Sequence, residues 1–199
     1  MIYKLSTKIQ CEDGLFDGSE CYTYITWDDF EIVFTMDKLN GVIINSYMMY
    51  LYEEIKNGGK TDHGICFVSP SAISKDGRTN NFKKSDEASE VIACRLSTRK
   101  DNNIILMSYN PGALSLHTRQ SGSKKKVKAS WINVMCPFQP GYTECGYYVL
   151  KFMKEVVDEG LEVLNNNFLS QFWGKNEYTY VELDRVREEW ATYVINFLY

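Results

Sequence analysis

Cys145 stands where a loop gives way to a helical pattern, in the run Cys136-Pro-Phe-Gln-Pro-Gly-Tyr-Thr-Glu-Cys-Gly146. The first turn of a helix leaves its N–H groups unpaired and carries about half a positive charge. A cysteine placed there has its thiolate favoured, and the thiolate is the nucleophilic form. Gln139 lies six residues upstream, on the loop that leads into the helix. Its side-chain amide and the Cys145 N–H would make two donors for the oxygen of a carbonyl under attack. Such a donor is worth roughly 3–4 kcal/mol in acyl transfer. Gly146 is expected to let the backbone pass close to a bound substrate. The plainer alternative is a buried structural cysteine that opens a core helix.

A thiol that attacks an amide normally works with a base and a group that orients the base. The sequence has two histidines, His63 and His117. His63 lies in the polar turn Lys60-Thr-Asp-His-Gly64 and is expected at the surface. His117 would serve as a substitute base if its loop folded back toward Cys145. The other cysteines are Cys11, Cys21, Cys66, Cys94 and Cys136. No two of the six have C-x-x-C spacing, so neither zinc nor another metal is expected. In a reducing compartment these five read as buried thiols or bystanders. No cofactor is implied.

The elements that must position these groups follow from periodicity. Val149, Phe152, Met153, Val156 and Val157 mark one face of a buried helix that begins at Cys145, and Gly160 is placed to end it. Leu39, Ile43, Ile44, Tyr47, Met48, Leu51, Tyr52 and Ile55 give an earlier core helix, stopped by Lys56-Asn-Gly-Gly59. Thr179 with Glu182 reads as a capping box, and Leu183, Val186, Trp190, Tyr193, Val194 and Phe197 line a final helix behind it. "GICFVSP" reads as a buried strand or loop, "NIILMSY" (residues 103–109) as a buried strand and "WINVM" (131–135) as a further strand. "TYITWDDFEIVF" is ambiguous between strand and helix. The expected architecture is α+β, a small central sheet with helices at both ends. Residues 1–20 are a polar lead-in and 21–199 a single domain.

With 199 residues, 44% hydrophobic and 14% aromatic, the chain can fill one substantial core. A formal charge of −4 argues against nucleic acid as a partner of the whole chain. One basic run, "SGSKKKVKAS" (121–130), reads as a solvated connector, with a nuclear localisation signal or an acidic partner's contact as the sharper reading. No stretch approaches the roughly 20 apolar residues of a membrane span, and the N-terminus lacks a signal-peptide core. The expected location is intracellular, nuclear or cytoplasmic.

The segment "CPFQPGYTECGYYVLKFM" closely resembles the nucleophile segment of the ubiquitin-like-protein-specific (SUMO-type) cysteine proteases, and more narrowly their plant, transposon-associated branch. That pattern is Gln, five residues, Cys-Gly and a helix. Gln139, Cys145 and Gly146 match it without a gap. "TWDDFEIVFTMDKLNGVIINSYMMYLYEEI" is similar to the family's early segment, and "VREEWATYVINF" to the branch's closing helix. The resemblance implies a papain-like (adenain-like) cysteine protease fold, with truncation left open. It implies Cys145 as nucleophile, Gln139 as oxyanion donor, and a ubiquitin-like modifier or its conjugates as partner, cleaved at the modifier's C-terminal glycine.

The same resemblance exposes a departure. The family's base is a histidine, usually followed by Trp, at the start of the strand before the Cys segment, and an aspartate on the next strand orients it. Asn103 and Ile104 fall at the first two positions here, and Leu114 at the third. Only 19 residues, Gly112 to Ser130, stand where the family fits a second strand and a helix. Neutral Asn103 cannot take a proton from a thiol. The leading expectation is a thiol-peptidase domain with an incomplete triad. The alternatives are a catalytically dead modifier-binding module and a non-functional transposon-derived remnant.

Overall fold

A computed structural model describes residues 6–16, 21–73, 90–91, 94, 104–108, 137–160 and 177–198. The elements named below are those of the described residues.

The chain enters on a hairpin. Strand β1 (Ser6–Gln10) pairs antiparallel with β2 (Tyr22–Thr26), with Ile9 opposite Thr23. Alternation places Ile9, Thr23 and Ile25 on the buried face. Leu15 and Phe16, in the connection, are also buried. The stretch expected as a loose lead-in thus contributes a strand and core side chains from residue 6 onward. Its apolar residues are too widely spaced to stand out in sequence, and only pairing with β2 brings them to one face. The ladder continues into Cys11, whose N–H donates to the Cys21 carbonyl at 2.9 Å. These two cysteines, expected as thiols, form a disulfide with Cα atoms 5.3 Å apart.

"TYITWDDFEIVF" is both strand and helix. Strand β2 runs directly into α1 (Trp27–Thr35), and Thr26 is the junction. Asp29 accepts hydrogen bonds from the Thr26 N–H (2.7 Å) and hydroxyl (2.8 Å). Its second oxygen accepts from the Asn40 side-chain amide at 2.7 Å. Asn40 in turn caps α2 (Gly41–Lys56), accepting from the N–H groups of Val42 and Ile43. One buried carboxylate therefore ties the starts of both helices. Between them Met36 takes a left-handed conformation (φ 58°) and the chain reverses through Met36–Asn40.

Helix α2 buries Ile43, Tyr47, Met48 and Leu51 as the periodicity predicts, and it ends at Asn57 with Gly58 at φ 78°. "GICFVSP" is strand β3 (Ile65–Val68), followed by the single turn α3 (Pro70–Ile73). "NIILMSY" supplies β4 (Ile104–Met107), parallel to β3 with Ile65 opposite Ile104. The described strands thus form two separate pairs, one of them a hairpin that precedes the first helix.

Helix α4 (Cys145–Glu159) and α5 (Tyr180–Ile195) complete the core. The predicted capping box is present: Thr179 Oγ1 accepts from the Glu182 N–H at 3.3 Å, and Glu182 accepts from the Thr179 N–H at 3.0 Å. Trp190 is fully buried, edge-on to Phe30 at 5.1 Å, and donates its indole N–H to Ser46 Oγ at 2.8 Å. Arg187 reaches back to the carbonyls of Val33 and Phe34, both at 2.8 Å, and so caps the C-terminus of α1 with a cation. Phe197 was expected on the apolar face, but it lies past the end of α5 and is exposed, its ring edge-on to Tyr193. No described helix is long and apolar enough to cross a membrane.

Candidate active site

Cys145 is the first residue of α4, as expected, and its side chain is exposed. Glu144 precedes it in the N-cap position without a side-chain cap. The entering loop, residues 137–144, brings Gln139 and Tyr142 to the thiol. Gln139 donates from Nε2 to Cys145 Sγ at 2.9 Å and to the carbonyl of Gly141. Cys145 Sγ faces the Tyr142 carbonyl at 3.5 Å, which accepts the thiol proton. The sulfur therefore sits between one acceptor and one amide donor. Loss of the thiol proton would leave the Gln139 amide and the helix N-terminus facing a negative sulfur.

The loop is braced from below. Tyr148 donates to the carbonyl of Phe138 at 3.2 Å and accepts from the Tyr178 N–H at 3.2 Å. Burial raises the Tyr148 hydroxyl above its ordinary pKa. Tyr147 donates to the carbonyls of Ile32 and Asp37, both 3.1 Å away, and burial pushes it up to about 12. A Cβ at Gly141 would run into the Glu144 carboxylate, whose Oε2 is buried without a hydrogen-bond partner among the described residues. Phe138 and Tyr142, by contrast, project into solvent at 70% and 89% exposure on either side of Gln139.

Gly146 has a different role from the one expected. A Cβ there would meet Leu39 Cβ at 2.5 Å, Cγ at 2.7 Å and Cδ1 at 2.9 Å. Its open face is filled by the α1–α2 connection and leaves no room for a substrate on that side. The Cys-Gly pair is thus also a packing device, which lets the first turn of α4 close onto the start of α2. The buried face of α4 is likewise rotated from the predicted one. Tyr147, Tyr148, Leu150, Met153, Val156 and Val157 are buried, whereas Val149 and Phe152 are half-buried. Tyr147 and Tyr148, absent from the predicted face, enter the core, where their hydroxyls find partners.

His63 packs against the other end of this helix. A Cβ on Gly160, which ends α4 at φ 69°, would strike His63 Nδ1 at 2.6 Å. Fifteen helical residues at about 1.5 Å each set the two ends roughly 22 Å apart. His63 therefore cannot serve Cys145. Half-buried, it is less open than the surface position expected of it. His117, Asn103, Leu114, the basic run 121–130 and the strand expected at 131–135 lie outside the described residues. The structure brings together Cys145 and Gln139, and adds Gly141, Tyr142, Tyr147, Tyr148 and Leu39 as neighbours that the sequence did not single out. Pro140-Gly141, a turn signal, was the one local hint of this loop's shape.

No protein-family model and no curated protein matches the chain. Among solved structures, a crystal structure of a de-sumoylating protease aligns with it at a TM-score of 0.50 and 12% identity. The fold is similar to that of this protease. The alignment covers 97% of this chain and 93% of the other, so the likeness is one of whole domains. The expected mixture of helices and strands is met, with the described strands in two separate pairs where one small central sheet was expected.

Proposed function

We propose that the chain is a cysteine-type peptidase or isopeptidase domain for ubiquitin-like modifiers, of SUMO-type processing or deconjugation, working with reduced catalytic machinery. The observation that carries this reading is the Gln139 amide 2.9 Å from Cys145 Sγ at the N-terminus of a core helix. The fold shared with a de-sumoylating protease supports it. The finer placement in a plant, transposon-associated branch rests on the resemblance of the Cys145 segment and the closing helix.

In this proposal the Cys145 thiolate adds to the carbonyl carbon of the modifier's last glycine. A C–S bond forms, and the carbonyl electron pair moves onto oxygen. Gln139 Nε2–H and the Cys145 N–H would hold that oxyanion. Collapse breaks the C–N bond, the lysine amine leaves with a proton, and water later hydrolyses the thioester. The base is the weak part. Asn103 and Leu114 supply neither imidazole nor carboxylate, and among the described residues the one histidine lies at the wrong end of α4. His117 is the candidate substitute.

A base and its orienter act as a unit, and their loss leaves a residual of about 10³–10⁴ over water from binding and oxyanion contacts. The expected behaviour is slow hydrolysis of a modifier's activated C-terminal ester and little turnover of a modifier–lysine isopeptide. Both should vanish in Cys145→Ala. Turnover of the isopeptide at about 1 s⁻¹ or more, within the ordinary enzyme range, would contradict the reduced machinery. Ester hydrolysis that survives Cys145→Ala would contradict the nucleophile.

A further inference from the structure

A cavity of about 520 Å³ opens between the C-terminal half of α2 and the outer face of α5. It is remote from the thiol. Leu39, beside Gly146, immediately precedes the Asn40 cap of α2, and Glu53, on the cavity wall, lies twelve positions along that helix from Gly41, about 18 Å at the helical rise. Nothing in the proposed reaction uses it.

Its walls are aromatic and acidic. Tyr50 and Tyr193 line it with ring centroids 5.7 Å apart, tilted at 52°. Glu53, Glu54, Glu188 and Glu189 supply four carboxylates, against one cation, Arg185. Two of the four are already engaged. Glu53 accepts from the Tyr193 hydroxyl at 2.6 Å, and Glu189 accepts from the Tyr47 hydroxyl at 2.8 Å and pairs with Lys154 at 3.1 Å. These bonds fix the floor and hold both helices at the spacing that leaves the cavity open. Glu54 and Glu188 make no ion pair or side-chain hydrogen bond with another described residue, and the Tyr50 hydroxyl makes no hydrogen bond with one.

Ring faces carry negative electrostatic potential, and two tilted tyrosines beside unpaired carboxylates form a surround that suits a cation with an apolar stem. A bare metal ion would want oxygen ligands converging on one point, and no group of three or more His, Cys, Asp or Glu among the described residues does so. The volume also exceeds what a single ion needs. It suits a long basic side chain that lays its methylenes on the rings and its charge at the rim. Burial, with smaller contributions from Glu189 and Glu54, pushes the Tyr50 hydroxyl up to about 12.

The geometry points to this cavity as a docking site for a basic side chain, lysine or arginine, carried by a partner polypeptide. It is a site for holding a protein near the domain, separate from the thiol chemistry.

The test is titration of the 199-residue protein with a short peptide of neutral residues around a single arginine, followed by amide chemical shifts. The control is the same peptide with citrulline, which keeps the shape and removes the charge. The expected result is saturable shifts clustered on Tyr50, Glu54, Glu188 and Tyr193, absent with citrulline and weakened at least tenfold in the Glu54→Gln, Glu188→Gln double variant. Both positions are at least partly exposed, so the variant keeps its fold, and Cys145 alkylation at the parental rate checks that. Equal binding of arginine and citrulline peptides, shifts scattered over other acidic surfaces, or a double variant that binds like the parent would each overturn the proposal.

Discussion

Gly146→Ala is the sharpest probe of how the sequence builds the site. A new Cβ would lie 2.5 Å from Leu39 Cβ, where ordinary contact is about 3.5 Å, so the first turn of α4 must retreat by about 1 Å. The nearest atom is the one Leu39 cannot swing aside, because Cβ is fixed to its backbone. Forcing extra methyl groups into packed sites typically costs about 1–3 kcal/mol. Alanine gains up to about 1 kcal/mol over glycine in a helix interior, and less in the first turn. The net expectation is a loss of about 1–2 kcal/mol in urea denaturation. Leu39→Ala should not relieve it, since Cβ remains, whereas Leu39→Gly should. The double variant Leu39→Gly, Gly146→Ala should thus show a coupling of at least about 1 kcal/mol, well outside additivity. A Gly146→Ala protein as stable as the parent, or more stable, would refute the reasoning. So would full rescue by Leu39→Ala.

Other expectations follow from burial and hydrogen bonding. Phe152→Ala should cost about 1–2 kcal/mol, below the roughly 3–5 of a fully buried Phe, because the ring is only half-buried; a loss above about 3 in chemical denaturation would contradict that placement. Trp190→Phe should cost about 2 kcal/mol, since it opens a gap in the core and removes the donor to Ser46 Oγ; a loss under about 0.5 in the same assay would mean that neither matters. Tyr50 and Tyr147 are each pushed up to about 12 by burial, so folding favours their neutral forms. That contribution is whole below about pH 10, the unfolded tyrosine value, and is lost as pH rises through about 12. Ultraviolet titration should therefore show late-titrating tyrosines whose ionisation coincides with loss of stability, and titration of all of them near pH 10 in folded protein would contradict this.

What could be read from the sequence was local. The Thr179–Glu182 box, the Asn57–Gly58 stop of α2 and the Cys145 start of α4 each involve residues within a turn or two of one another. Thr26 and Asp29 carry the same kind of signal. It went unread because the surrounding residues favour a strand as much as a helix, and the chain in fact switches from one to the other at Thr26. What stayed hidden was contact across long separations. Nothing near Gly146 announces Leu39, more than a hundred positions earlier. The Cys11–Cys21 pair depends on the register of β1 against β2. The acidic cavity exists only because α2 and α5 lie side by side. On α4, Tyr147 and Tyr148 are buried where the predicted face had Val149 and Phe152: Tyr147 donates to the carbonyls of Ile32 and Asp37, more than a hundred positions earlier, and Tyr148 to that of Phe138 in the entering loop.

The central claim is that Cys145 is the nucleophile of a domain that grips a ubiquitin-like modifier. It is tested most directly by incubating the protein with a panel of ubiquitin-like modifiers, each bearing a C-terminal electrophile, and locating any adduct by intact mass and peptide mapping. The account predicts a covalent adduct with at least one modifier, attached at Cys145, absent in Cys145→Ser and slowed in Gln139→Ala. An adduct at Cys66 or Cys94 would contradict it, and so would a thiol that iodoacetamide alkylates readily while every modifier in the panel leaves it untouched.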